Sequence, residues 1–363
     1  MLTAAAYQVV YLLLVAFMTV WLTRQYATFD FMGVDKGYAT NNKTALIFTV
    51  FLMFFIGFRP LNYVFVDMMN YADEYNALWK GKPYEFTWDT DNFIFDNLFH
   101  YWGSAMIPID EFFLLIAVIY FGGIFFACRK MFPDDLLLTF LIYLGAFSTF
   151  SYGTNGIKAG AAASLFLIAI AYREKKMVAA LFLFLSLGFH HSMVVCLAAF
   201  LLPYFVKDRK YYLYGWIACF VMAALGIASL MSFFGGFVDD SGAGYLSLNQ
   251  ADKMVSGFRP DFILYSAIPI FLGDYLVRRF GIESEEYDYI WKVYVAANAV
   301  FLICTYGSYI NRIAYLSWLM YPIVLIYPFL HCNLGEKQYT YLKYAVYGHL
   351  GFTMFMSFVY YGI

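Results

Sequence analysis

An all-α, polytopic membrane fold with about 12 spanning helices is what this sequence predicts, and three observations predict it. Apolar residues make up 63% of the 363 and charged ones only 13%, with a mean hydropathy of +0.65, far from the balance of a soluble enzyme. The apolar residues fall in runs close to the length of about 20 that crosses a bilayer as a helix. Basic residues gather in alternate turns between those runs, which is the asymmetry that orients membrane helices.

The runs lie near 4–23, 44–58, 111–128, 135–150, 156–172, 177–189, 193–206, 212–231, 261–277, 291–306, 313–330 and 344–361. The first starts without a basic leader and is followed by no small-residue cleavage site, so it is expected to stay attached. Several middle runs are short, and tilt or breakage is expected there. Placing the turns after the odd-numbered runs in the cytoplasm puts 16 of the 23 basic residues on that side. The other seven are Arg59, Lys80, Lys82, Lys158, Lys253, Arg259 and Arg312, on the outer face with both termini and two long loops, about 59–110 and 232–260. The expected organisation is one transmembrane domain, 1–363, carrying those two loops.

Charge and cysteine usage exclude several classes. A net charge of -2 lacks the basic field that neutralises a phosphate backbone, so no nucleic acid partner is expected. Cys128, Cys196, Cys219, Cys304 and Cys332 have no CxxC spacing and read as small apolar fillers, not as disulfides or zinc ligands. No cofactor is expected, and no metal, since basic residues already offer charge stabilisation, although the acidic residues of loop 59–110 leave a divalent cation as the alternative. The 34 Tyr and 41 Phe suit membrane interfaces and sugar-binding surfaces, since a ring offers an apolar face and, in Tyr, a polar tip.

Four cations stand at the ends of apolar runs: Arg59, Lys158, Arg259 and Arg312. A charge at membrane depth costs about 2.5–3.5 kcal/mol on insertion scales, so such residues usually face a polar cavity or an anion. The plainer readings are, for Arg59, a snorkelling side chain paired with a loop carboxylate, for Lys158 a side chain that reaches water, and for Arg312 a guanidinium bonded to loop carbonyls. Pro60 ends the helix before it and fixes where Arg59 leaves the membrane, and Asp67 and Tyr71 follow in an acidic loop that also holds Trp79, Trp88 and Trp102. Lys158 opens a run of Gly, Ala and Ser that permits close helix approach, at a helix start whose free N–H groups attract anions. The planar fork of Arg312, beside Asn311, matches a phosphate. His190 and His191, in Phe-His-His-Ser, offer proton exchange near neutral pH or a bond to a phosphate or sugar hydroxyl. Residues 232–259 are glycine-rich and read as a mobile lid. Gly-Phe-Arg-Pro occurs at 57–60 and 257–260, but without longer self-similarity it marks no repeat.

In this order these residues resemble the EpsG family of Wzy-like exopolysaccharide and O-antigen polymerases: Arg59 with Asp67 and Tyr71, the run from Lys158 to Ala163, Phe189-His190-His191-Ser192, Gly257-Phe-Arg-Pro-Asp-Phe, and the stretch from Arg312 to Tyr315. Lys158 departs from the pattern, where an Arg is expected. The resemblance implies a multi-pass enzyme of the bacterial inner membrane that joins undecaprenyl-diphosphate-linked oligosaccharide repeats on the outer face. A flippase and a chain-length regulator are the partners it implies. Arg59, Lys158, Arg259 and Arg312 are then expected to hold the diphosphates, Asp67 or His190 to engage the acceptor hydroxyl, and Tyr71, His191 and the loop tryptophans to contact sugar. Three rival functions use the same features. A membrane O-acyltransferase would employ His190, a glycan ligase would share donor and leaving group, and a lipid-linked sugar transporter would bind the headgroup without making a bond.

Overall fold

The computed structural model describes residues 2–32, 42–227, 234 and 257–363. Of the glycine-rich stretch expected to act as a lid, all but Phe234 and residues 257–259 lies outside the described residues. Regular structure among the described residues is helical throughout. In chain order the helices are α1 (Ala4–Met32), α2 (Asn42–Gly57), α3 (Val66–Glu74), α4 (Phe93–Ser104), α5 (Ile109–Met131), α6 (Leu136–Leu144), α7 (Phe147–Thr154), α8 (Ile157–Ala171), α9 (Lys176–Phe189), α10 (Met193–Phe205), α11 (Arg209–Ala224), α12 (Pro260–Phe280), α13 (Glu285–Ile303), α14 (Ile310–Trp318), α15 (Tyr321–His331) and α16 (Gln338–Met354). Wider π turns extend α3 over Tyr75–Trp79 and α16 over Phe355–Tyr360.

Every one of the twelve apolar runs contains helix, yet helix length tells a shorter story than run count. Among the described residues four stretches are long and apolar enough to cross a membrane: Ala4–Thr28, Ile109–Met131, Pro260–Phe280 and Ile310–His331. The bent pair α6–α7 makes a fifth if it counts as one span. By contrast α2, α8, α9 and α10 have 16, 15, 14 and 13 residues. At about 1.5 Å per residue these fall short of a hydrocarbon core of about 30 Å. The composition and helices are those of a multi-pass membrane protein.

The chain divides into two compact units, one of residues Met1–His190 and Gly335–Ile363, the other of His191–Leu334. In the first unit, α8 packs against α5 and α9 through its small residues. A Cβ added at Gly123 would lie 2.6 Å from Ser164 Oγ, so glycine is what lets α5 and α8 approach. Ser186 Oγ of α9 donates to Ala162 O at 2.7 Å, tying the third helix to the same seam. This is the close contact expected of small residues in apolar surroundings, where packing and hydrogen bonds replace the hydrophobic drive.

Between α6 and α7 the chain turns by 74°, and a break in an apolar helix strands carbonyls that no water reaches. Side chains from distant segments serve them. Tyr11 Oη donates to Leu144 O at 2.8 Å, Thr149 Oγ to Tyr143 O at 2.7 Å and Thr353 Oγ to Gly145 O at 2.8 Å. His349 Nε2 reaches Ile142 O at 3.2 Å. His349 and Thr353 stand one turn apart on α16, so that helix supplies two of the four donors.

The second unit is organised around α13. Trp216 Nε1 donates to Asn298 Oδ1 at 2.7 Å, and Asn298 Nδ2 donates to Ser317 Oγ at 2.9 Å. The basic residues read as orientation signals are partly paired here: Arg209 lies 3.5 Å from Asp274 and 3.4 Å from Asp288, with its guanidinium over the Trp291 ring, and Arg278 pairs with Asp274 at 2.9 Å.

Candidate functional site

Residues 59–110 do not form an open loop. They fold into α3, its π turn and α4, joined by an extended stretch that α4 pins in place. Asn97, buried on α4, donates to Thr87 O at 2.7 Å and accepts from Thr87 N at 2.9 Å. The acidic, aromatic segment therefore presents a fixed surface.

Arg59 sits two residues past the end of α2 and is 3% exposed. Its guanidinium donates to Ile56 O at 2.8 Å and to Thr154 O at 2.7 Å, and stacks near the Phe65 and Phe113 rings. Both acceptors are C-terminal carbonyls, where the helix dipole is negative. Among the described residues no carboxylate comes within ion-pair range of Arg59, and its Nε is buried without a partner. The expected pairing of a snorkelling Arg59 with a loop carboxylate is thus not what the described residues show: its partners are the carbonyls that end two helices.

Four residues beyond Thr154, Lys158 opens α8. Its Nζ lies 3.3 Å from Asp96 Oδ1, with the two side chains 24% and 21% exposed, and sits over the Phe95 ring at 5.1 Å. Asp96 belongs to the first turn of α4, and His100 follows one turn later on the same face. The His100 ring stacks on Trp79 at 3.4 Å between centroids, while Trp79 Nε1 donates to Glu74 Oε1 at 3.1 Å. Gly103 makes this possible: a Cβ there would meet Trp79 Cβ at 2.5 Å. Burial lowers the His100 imidazole below its ordinary value and Lys158 acts with it, while Asp96 and Glu74 oppose the shift. Burial thus favours the neutral imidazole.

Asp67, Tyr71 and Glu74 occupy successive turns of α3, and all three are partly exposed. Tyr71 packs its ring against Phe95 and Phe99 of α4, which carries the α3 stripe towards Asp96 and His100. Trp79 is held in the stack, Trp102 donates to Pro108 O at 3.1 Å, and Trp88 is 70% exposed, free to meet a ligand ring. The structure thus brings Lys158, Tyr71 and Glu74 together with Asp96, Trp79 and His100. Asp96 and His100 were not singled out from sequence, although their i, i+4 spacing between Phe95 and Phe99 marks one face of an amphipathic helix.

The remaining residues belong to the end of α9 and to the second unit. His190 ends α9 and closes the first unit's long segment, and His191 begins the second unit. Arg259 precedes α12 and is engaged by its neighbour: Nε to Asp261 Oδ1 at 2.9 Å and Nη2 to Oδ2 at 2.5 Å, a bidentate pair over the Phe262 ring. Arg312 is exposed in the first turn of α14, beside Tyr309, whose φ of +52° is left-handed. Among the described residues no group of three or more His, Cys, Asp or Glu is placed to hold a metal ion.

Comparison with known proteins adds one finding. No curated protein and no solved structure matches the chain. Residues 43–363 match the EpsG family, which leaves residues 1–42 outside the match. Across almost its whole length, then, this chain belongs to the EpsG family.

Proposed function

We propose that the chain is a membrane glycosyltransferase of the bacterial inner membrane, with about twelve crossings once short and tilted helices are included. It joins undecaprenyl-diphosphate-linked oligosaccharide repeats into a surface polysaccharide at the outer face. One observation carries the reading: Arg59, buried without a carboxylate, is bonded to Thr154 four residues before Lys158, so two cations serve one helix junction. A lipid diphosphate leaves with charge building on its bridging oxygen, and fixed donors aimed there lower the barrier by stabilising the transition state more than the ground state.

Lys158, at the start of α8, contacts the donor diphosphate, and Arg59 fixes the junction that presents it. Tyr71 and Trp88 bind sugar rings, and Asp67 orients the acceptor. In the second unit Arg312, Arg259 and His191 are assigned to anion and sugar contacts, Arg259 only when its Asp261 pair opens; His190 contacts glycan. A flippase and a chain-length regulator are the natural partners of such an enzyme. The transporter reading is weakened by the α6–α7 turn. Transporters use the free carbonyls of broken helices to bind coupling ions, and here Ile142, Tyr143, Leu144 and Gly145 already accept side-chain donors.

The test is the purified chain in liposomes with a synthetic lipid-diphosphate-linked oligosaccharide as both donor and acceptor. A ladder of lengthened lipid-linked products, reduced in Lys158→Ala, is expected. Transfer only to a non-lipid acceptor would make the protein a ligase, and headgroup movement without bond formation would refute the enzyme.

A further inference from the structure

We propose that His100 takes the proton from the acceptor hydroxyl, and that Lys158, shared between Asp96 and the donor diphosphate, makes that transfer depend on a bound donor. The proposal rests on the polymerase reading and names the base within it.

The geometry comes first. A general base needs a fixed ring with one nitrogen open to substrate, and a way to stabilise the charge it gains. The His100 ring is fixed by its stack on Trp79 at 3.4 Å, and Trp79 is fixed in turn by Glu74 at 3.1 Å. The residue remains partly exposed, so an acceptor can reach it. It is also the histidine beside a cation suited to the donor, since Lys158 is bonded to Asp96 one turn earlier on α4.

The charges around the ring set the order of events. Asp96 on its own helix and Glu74 on α3 favour an imidazolium, and Lys158 on α8 opposes it. α5 brings Asp110 and Glu111 in its first turn, and α9 carries no ionisable side chain except Lys176 at its opposite end. With no donor present, Lys158 holds Asp96 at 3.3 Å and offsets part of its pull on the ring. Both side chains are about one-fifth to one-quarter exposed, and a separation of 3.3 Å is long for a charge-assisted bond. A diphosphate, with more charge and more acceptor oxygens, draws Lys158 away. Asp96 is then left facing His100, which becomes the stronger base when the donor is in place.

In the step itself the acceptor oxygen forms a bond to the anomeric carbon of the donor. The bond from that carbon to the diphosphate oxygen breaks, and its electron pair leaves on the diphosphate. The hydroxyl proton passes to a ring nitrogen of His100 and from there to water.

The experiment is steady-state turnover of the lipid-linked oligosaccharide by the full-length chain in liposomes, as a function of pH, for wild type, His100→Gln and Asp96→Asn. Binding of a short isoprenyl diphosphate without sugar reports folding. His100→Gln is expected to lower kcat by about 100-fold or more, to leave isoprenyl diphosphate binding and donor KM unchanged, and to abolish the acid limb of the profile. Asp96→Asn is expected to lower donor KM, because Lys158 is released, while lowering kcat and moving the acid limb to lower pH. A merely structural role for Asp96 would not tighten donor binding. Turnover by His100→Gln within about threefold of wild type, or a raised donor KM in Asp96→Asn, overturns this proposal and leaves the polymerase reading standing. Failure of the wild type to lengthen any product overturns that reading as well.

Discussion

Replacing Arg59 with alanine separates a residue that holds the fold from one that only touches substrate. Two charge-assisted bonds are lost, at 2.8 Å to Ile56 O and 2.7 Å to Thr154 O. Hydrogen bonds to charged groups contribute about 1.5–3 kcal/mol each, so the lower bound for the pair is about 3 kcal/mol. Thr154 O is then left without its side-chain donor in apolar surroundings, and the 3% exposure of the site leaves little room for water to replace it. Against a total stability of about 5–15 kcal/mol, such a loss is large. Arg59→Lys keeps the charge but reaches one carbonyl, so about half the loss is expected. The assay is reversible unfolding in mixed micelles by titration with a denaturing detergent, read by tryptophan fluorescence. An Arg59→Ala variant within about 0.5 kcal/mol of wild type would refute the bolt between α2 and α7 and return Arg59 to a purely ligand-binding role.

Two further outcomes follow from the same unit. Gly103→Ala places a Cβ 2.5 Å from Trp79 Cβ and 2.9 Å from its backbone carbon. Overpacking of this kind costs about 1–3 kcal/mol and should part Trp79 from His100, seen as a fluorescence change with loss of polymer, whereas Gly215→Ala, with nothing within 4 Å, should cost no stability. Because the His100 imidazole is held below its ordinary value by burial, its contribution to stability is complete above the unfolded value of about 6.5. It is lost as pH falls through the lowered folded value. Unfolding titrations should therefore show wild type losing more stability than His100→Gln on going from pH 7 into the acid range.

The helices were legible because each apolar run is its own signal, and the small-residue run at Lys158 announced the α5–α8 seam that Gly123 and Ser164 make. What hid was set by partners far along the chain. Nothing near Gly145 marks a 74° turn; it depends on Tyr11 and on His349 and Thr353, some 200 positions away. Arg59 looked like a residue awaiting an anion, since the carbonyl of Thr154, 95 positions on, has no sequence signature. For Arg259 the partner was in plain sight two residues later, but adjacency in sequence does not fix whether a fork closes on its neighbour. His100 carries no signal in a segment that reads as an open loop, where a periodic face has no meaning; with Phe95 and Phe99 packed, Asp96 and His100 become the polar edge of a helix.

The turn between α6 and α7 has a bearing on energetics that the sugar chemistry alone does not reveal. With four of its carbonyls bonded to hydroxyl, phenol and imidazole groups from α1, α7 and α16, the elbow is stable only once those segments have come together.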